Sequence, residues 1–349
     1  MPNYVTNVLT LHGDQAQIRA MLEAIQYDDL GVGSVDFNKI IPMPESLDIE
    51  AGSQTSTGLK AYQDFIEVYT LGGTIHQDDL ENIPRESEDS FLRQRSDIRR
   101  KAWKLGKAAW NNIRLYGVPT WYEWCNQHWG TKWNAYGYGE AKVNYKDGDV
   151  LNFLTAWSAP HPVMEKLAEM FPNVEIEHEW ADEYIGENCG RYRYQNGVRI
   201  EEWLPETERE AIDFGCELMG LNPLDYGIAP NAAGTSYVNL EDNKYEKIEL
   251  LGKTALFSND RLTDEDIPEG LYCYHLRHSD DSGSFCAVEP MVGVNHGGSV
   301  ILKEPLEFGE SGYIPLDEET NPNFSGEEEN FSEFLSDTSP QEAEEMKLC

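Results

Sequence analysis

Tyr4-Val5-Thr6-Asn7-Val8-Leu9-Thr10-Leu11 sets β-branched and apolar residues in close succession, the composition of a strand. Gly13 breaks the run and Asp14 is placed to cap a helix. Ile18, Met21, Leu22 and Ile25 then recur at i, i+3, i+4 and i+7, one face of an α-helix. Ser34–Ile41 reads as a second strand, closed by Pro42 and Pro44. Strand, helix and strand in this order predict half of a ferredoxin-like α+β sandwich. A further helix is expected around Leu59–Tyr69.

Working outward, residues 91–134 read as a helical insertion. Within 91–114 stand eight bases (Arg93, Arg95, Arg99, Arg100, Lys101, Lys104, Lys107, Arg114) against Asp97 alone. Such a run is ordinarily a solvated face, here paired with acidic surroundings. Its other use is docking an anionic partner. Trp103, Trp110, Trp121, Trp124, Trp129 and Trp133 interleave with it or follow it, as an internal packing layer or as stacking rings. Ala141–Tyr145 and Val150–Trp157 flank Asp147-Gly148 and read as a hairpin. His161-Pro162 opens a helix with the stripe Val163, Met164, Leu167, Ala168 and Phe171. Val174–Ala181 is a strand, and Arg191–Ile200 is a hairpin turning at Asn196-Gly197. A helix from Pro205 and Thr207 ends near Gly220.

The fold class expected is therefore α+β. A ferredoxin-like sandwich over 1–225 carries the insertion at 91–134. A linker follows at 226–236, then a small β-rich domain at 237–315. An acidic, disordered tail occupies 316–349, where Phe324, Phe331, Phe334 and Leu335 are the residues able to anchor it.

Charge narrows the function classes. The chain holds 63 Asp and Glu against 27 Lys and Arg, a net −36. That surplus repels nucleic acid and anionic lipid at long range, and it attracts basic partners. Residues 231–349 carry 26 acids against 7 bases, so the excess is steepest toward the C-terminus. No stretch approaches the length of a membrane span. The six cysteines (125, 189, 216, 273, 286, 349) form no Cys-x-x-Cys pair or zinc-ligand spacing, so free thiols in a reducing bacterial cytoplasm are expected. No dinucleotide, phosphate-loop, nucleophile-elbow or zincin motif is present. His178 has Glu177 and Glu179 beside it, but strand neighbours face opposite ways. The loops His275–Gly283 and Asn295–Gly298 bring histidines to one small domain, as a turn framework or as a metal or phosphoester site. No catalytic, cofactor or metal residue is assigned.

Two resemblances rest on particular stretches. Met1–Asn7, Asp36–Pro44, Tyr138-Gly139-Glu140, Leu151–Pro162 and Glu179-Trp180-Ala181 resemble the Api92-like (YubB-type) family of phages and conjugative plasmids over about 1–225. That resemblance implies a ferredoxin-like topology without an iron–sulfur cluster. Leu251–Phe257, Pro268–Arg277 and Val294–Gly298 resemble a large polyvalent protein-associated domain, type 28, over about 237–315. It implies a protein that a mobile element brings into a new host, in a setting linked to counter-defence. Neither resemblance carries a catalytic residue over.

The function expected is inhibition of a host anti-phage defence system, a restriction or related nuclease. The means is an acidic surface that mimics nucleic acid for a basic partner. Candidate partner-binding residues are Arg99, Arg100, Lys101 and Lys104 in the insertion, Glu201 and Glu202 after the Asn-Gly turn, Arg277 and His278, and Glu327, Glu328 and Glu329. Two alternatives are held beside it. One is a binder or hydrolase of a small nucleotide signal, using Arg277 or Arg191 and Arg193. The other is an accessory of element transfer that touches nucleic acid through 91–114. No membrane partner is expected.

Overall fold

The computed structural model describes residues 3–70, 83–139, 142–279, 284–290 and 293–336. The chain divides into one unit of residues 1–184 and 188–204 and another of residues 185–187 and 205–349.

The first unit is built on β1 (Tyr4–His12), β2 (Leu151–Ala156), β3 (Glu175–Asp182), β4 (Gly190–Gln195) and β5 (Val198–Trp203). They form one antiparallel sheet of order β2-β1-β3-β4-β5. Its helices among the described residues are α1 (Gln15–Ile25), α2 (Ser53–Thr70), α3 (Arg85–Gln94), α4 (Arg100–Tyr116), α5 (Trp121–His128) and α6 (His161–Met170). β2 and β3 each run antiparallel to β1, so they are parallel to one another with β1 between them. α6 joins them, giving the split β-α-β arrangement of a ferredoxin-like sandwich. Asp14 caps α1 as its position predicts, its Oδ1 accepting from the Ala16 N–H at 3.0 Å. Ile18, Met21, Leu22 and Ile25 of α1 and Val163, Met164, Leu167 and Ala168 of α6 share one core with Val5, Leu9, Phe153, Ile176 and Trp180 of the sheet. The Asn-Gly turn forms with both residues at positive φ (55° and 74°), as a two-residue hairpin of this hand requires.

Two expected strands are not strands. Ser34–Ile41 is a loop with a 3₁₀ turn at Phe37–Lys39, because both edges of β1 are already taken by β2 and β3. Its apolar residues are buried all the same. Phe37 lies edge-on to Trp129 and Phe153 at 5.7 and 6.0 Å. Its backbone is held by side chains, the Phe37 N–H donating to Asn134 Oδ1 at 2.8 Å and the Val35 N–H to the Tyr138 hydroxyl at 3.0 Å. Residues 142–150 do not pair with β2 as a hairpin either. The Val143 N–H bonds to the Leu30 carbonyl at 3.0 Å, while β2 pairs with β1. Ala141 lies outside the described residues.

The insertion is helical and begins earlier than expected, since α2 is its packing partner. Tyr62 and Phe65 of α2, Phe91 of α3 and Trp103 of α4 form an aromatic core with centroids 5.1–5.7 Å apart. α2 and α4 meet at Gly58 and Gly106. A Cβ on Gly58 would overlap the Ala102 carbonyl, and one on Gly106 would overlap the Gly58 backbone.

The second unit opens with α7 (Glu208–Met219), capped by Thr207 and ended by Gly220 in the left-handed region. The expected linker is structured. It contains a 3₁₀ turn at Pro223–Tyr226 and β6 (Ile228–Pro230), paired with β7 (Tyr237–Asn239). Asn231 is buried there and ties the turn together through both ends of its amide. β8 (Tyr245–Leu250), β9 (Lys253–Ser258), β10 (Tyr272–His278), β11 (Phe285–Glu289), β12 (His296–Leu302), β13 (Ile314–Pro315) and β14 (Asn323–Glu329) follow. They form an antiparallel sheet of order β13-β11-β10-β12-β9-β8-β14. Alternation places Ala255, Phe257, Val300 and Leu302 on one face and Leu256 and Ile301 on the other, and both faces are buried.

Order runs further than the expected start of the tail at 316. β14 adds to the sheet, and α8 (Phe331–Ser336) inserts Phe331 and Phe334 into the core with Tyr245, Leu256 and Ile301. Composition argues for disorder here, but two buried phenylalanines and a strand pairing offset the cost of ordering the segment. Residues 337–349 lie outside the described residues.

Two stability outcomes follow from this packing. Gly58→Ala is expected to lower the melting temperature. Alanine is favoured in a helix by about 1 kcal/mol, but forcing two backbones apart costs about 1–3 kcal/mol or more. Phe334→Ala is expected to destabilise the second unit by about 3–5 kcal/mol in urea unfolding followed by circular dichroism. A tail without structure would show no change.

Candidate functional site

The sequence-predicted contact residues do not converge. Arg99 is the N-cap residue of α4, and the next residues are occupied. Arg100 faces Asp89 at 3.5 Å and Lys101 faces Glu50 at 2.6 Å. Lys107 pairs with Glu88 at 2.5 Å, and Arg95 with Asp97 and Asp64 at 3.0 and 3.3 Å. Lys104 lies beside them, exposed, on the wall of a charged cleft between α3 and α4. Four of the eight bases of the run, Arg95, Arg100, Lys101 and Lys107, are thus paired with local acids.

The outer face of β3–β5 is an ion-pair ladder. Arg193 is bracketed by Glu175, Glu177 and Glu201, the last at 2.8 Å, and Arg191 bonds Glu179 at 2.7 Å. Glu202 accepts from the Tyr192 hydroxyl at 3.3 Å and pairs with Arg199 at 3.3 Å. In the second unit Arg277 lies against Glu289 at 3.5 Å and over the Tyr313 ring at 4.9 Å. Arg191, Arg193 and Arg277 stand outside the charged cleft between α3 and α4. Glu329 pairs with Lys247 at 2.6 Å, whereas Glu327 and Glu328 stand exposed on β14.

The two histidine loops of the second unit do meet. His275 and His296 have ring centroids 5.4 Å apart, and His278 stacks on Phe285 at 5.0 Å. Burial pushes His275 and His296 below the usual imidazole range, and Arg261 adds to the effect. Among the described residues no three of His, Cys, Asp and Glu are grouped to hold a metal ion. Among the described residues no cysteine is in a disulfide.

A cavity of about 560 Å³ in the first unit was not singled out by sequence reasoning. Its construction begins at the exit of β2. The Thr131 hydroxyl donates to the Ala156 carbonyl at 2.9 Å, and the Ser158 hydroxyl donates to the Gly130 carbonyl. Those two bonds lay Lys132-Trp133 alongside Trp157. The Lys132 ammonium then sits 4.6 Å from the Trp133 ring centroid and 4.5 Å from that of Trp157. Trp157 has φ 74°, left-handed backbone that a bulky residue rarely adopts. It is held there by its N–H on the Asn3 carbonyl (3.0 Å) and by the Asn188 amide on its own carbonyl (3.1 Å). The opposite wall comes from the start of α5. Gly117 ends α4, and buried Asn112 fastens the following turn by donating to the Ser46 and Pro119 carbonyls at 2.8 and 3.0 Å. Thr120 then caps α5 while its hydroxyl donates to Glu123, presenting Trp121 and Tyr122 to the cavity. The first turn of α2, with Thr55 and Ser56, forms the floor.

The centre of the same unit holds a buried polar chain. His178 Nε2 donates to Asn7 Oδ1 at 2.9 Å, and Asn7 Nδ2 donates to Thr155 Oγ1 at 2.9 Å. Thr155 passes its own proton to the Ser158 carbonyl at 2.8 Å. Among the described residues His178 Nδ1 has no hydrogen-bond partner although it is buried, and the ring packs on His161 and Trp180. Glu177 and Glu179 point to the other face, as strand alternation requires. Burial, and then Arg199, push His161 down to about 4, against the opposing pull of Glu202. Burial holds His178 well below its usual value.

Residues 129–222 match the family described as the ferredoxin-like domain in Api92-like protein, and residues 241–336 match large polyvalent protein associated domain 28. The first match spans β2 to α7, the second β8 to α8. A solved structure, protein api92 from Yersinia pseudotuberculosis, is similar at 11% identity, with 59% of this chain and 99% of that one covered and a TM-score of 0.29. No curated protein matches.

The histidine pair gives a pH dependence of known sign. Below about pH 6.5 the unfolded chain binds a proton at each ring, while the folded chain does not until pH nears 4 at His161, and burial likewise holds His178 neutral well below its usual value. Their contribution to stability is complete above pH 6.5 and is lost as pH falls, by about 1.4 kcal/mol per pH unit per ring. His161→Gln should flatten urea-derived stability against pH between about 6.5 and 4.5 by one such slope. An unchanged slope would show that His161 is not kept neutral.

Proposed function

We propose that the chain is a binding protein of a mobile genetic element that inhibits a host defence nuclease by offering carboxylates to its basic nucleic-acid path. The observation that carries this reading lies at the open edge of the second sheet. Glu328 of β14 is the register partner of Glu246 of β8, two like charges placed directly opposite. Such a pair destabilises the strands that carry it, by about 0.2–1 kcal/mol. Glu327 stands exposed next to it, and Glu249 further along β8 is exposed as well. The cations tell the converse story, since Arg100, Lys101, Lys107, Arg191, Arg193, Lys247, Lys253 and Arg277 each face a carboxylate of the chain itself. A surface that has absorbed its own cations and displays surplus acids is complementary to a basic groove. Similarity to a large polyvalent protein associated domain supports placing that groove in a host-directed setting. The same acids also deter β14 from pairing edge to edge with another copy.

The reading is tested by binding the purified chain to restriction and related nucleases at low and moderate salt. Binding should weaken steeply with salt. Neutralising Glu246, Glu327 and Glu328 to glutamine should weaken the complex by about tenfold or more while leaving the second unit as stable or stabler. Binding that ignores those substitutions, or no complex with any such nuclease at low salt, would overturn it.

A further inference from the structure

We infer that the tryptophan-walled cavity of the first unit is a binding site for a small planar aromatic anion of nucleoside monophosphate size. The inference is independent of the acidic edge and uses different residues.

Three observations point the same way. First, the cavity's volume of about 560 Å³ falls within the range of about 300–1,000 Å³ typical of small-molecule sites. Its walls include Trp121, Tyr122, Trp133 and Trp157. Flat π faces of this kind accept a heterocycle by stacking without demanding one particular base.

Second, Lys132 carries its charge into the cavity without a carboxylate partner among the described residues. Among the described residues no carboxylate lies within 4.0 Å of its ammonium, which is held instead between two indoles. Cation–π contacts fix the position of the charge without neutralising it. The one carboxylate on the cavity wall, Glu123, is engaged by the Thr120 hydroxyl as part of the α5 cap. In a protein of net −36 this leaves a local positive point inside an aromatic enclosure. An anionic group attached to a stacking ring satisfies both features together.

Third, Trp157 is strained in a way that the fold does not need. Glycine or asparagine would take φ 74° at little cost, whereas a bulky side chain there costs about 1–3 kcal/mol. The residue is 41% exposed, so the core gains little from its ring. What the ring does instead is flank Lys132 and wall the cavity, with Tyr122 edge-on to it at 6.0 Å. Strain kept at a half-exposed aromatic next to a lone cation is the signature of a ligand clamp.

The test uses the full chain. All nine tryptophans lie at or before residue 203, inside the first unit, so their fluorescence reports on this unit alone. AMP, GMP, CMP and UMP are titrated separately, with adenosine and inorganic phosphate as the two half-ligands. At least one nucleotide should bind saturably at one site and quench the emission, with both half-ligands about tenfold weaker or more. Lys132→Gln should weaken nucleotide binding by about tenfold or more without lowering the melting temperature. Trp157→Gly should abolish binding with a melting temperature no lower than the parent's, which a merely structural tryptophan would not allow. Glutamine at Glu246, Glu327 and Glu328 should leave nucleotide binding unchanged, so this site and the acidic edge can fail separately. No saturation by any of the four nucleotides up to about 1 mM, the weak end of specific affinity, would overturn the inference. So would Lys132→Gln binding as the parent does.

Discussion

Asn7 is the residue on which the first unit turns. It sits in β1, between β2 and β3, fully buried, and its amide reaches both neighbouring strands, accepting from His178 on β3 and donating to Thr155 on β2. A one-residue slip of either strand would carry its partner to the opposite face and leave a buried amide unpaired, at a cost of about 1–3 kcal/mol. The apolar residues around it would keep the same face after a two-residue slip, whereas this polar bridge would not survive one. Its consequences reach the surface. Thr155 continues the chain to the Ser158 carbonyl, and Ser158 binds Gly130, which fixes the approach of Lys132 to Trp157. The geometry of the aromatic cavity is therefore set by the register of the core.

Charge is organised by a second constraint, the scarcity of cations. With 27 bases for 63 acids, each base is drawn to a carboxylate wherever the fold brings one close. The basic run in α4, which reads in isolation as a nucleic-acid surface, is held by Glu50, Glu88 and Asp89 from neighbouring segments. Most of these pairs are exposed and add little to stability individually. Their effect is on display, because they remove positive potential from the surface and leave the unpaired acids to dominate it. Lys132, like Arg114 over Trp110, rests against tryptophan rings instead.

Legibility in the sequence followed the range of the interaction that decides each element. Asp14, Thr207, Gly220 and Asn196-Gly197 act within a few residues, and each is found doing what its position predicts. The stripes of α1 and α6 are buried for the same reason. Ser34–Ile41 and Ala141–Tyr145 have strand-like composition, yet a strand also needs a free edge, and the edges of β1 go to partners about 150 and 170 residues away in sequence. At Ser34–Ile41 apolar content predicts burial correctly, with Val35, Phe37 and Ile40 in the core, and conformation wrongly. At the C-terminus the acids of 317–329 weigh toward disorder in any window, while Phe331 and Phe334 matter only once Tyr245, Leu256 and Ile301 are assembled to receive them.

The aromatic cavity shows why a site can be invisible to motif reading even when every residue in it is conspicuous. Its walls come from the start of α2, the cap of α5, the segment before β2 and the residue after it, so no spacing rule links them. The signal that could have marked it is one that sequence does not carry, the sign of φ at Trp157. Nothing local demands a left-handed tryptophan. The conformation is imposed from outside, by Asn3 at its N–H and Asn188 at its carbonyl, residues from opposite ends of the first unit. A fold that uses two distant strand ends to hold one side chain against its preferred geometry is spending stability on the position of that ring. Position matters more than burial only for a side chain that must meet something other than its own core.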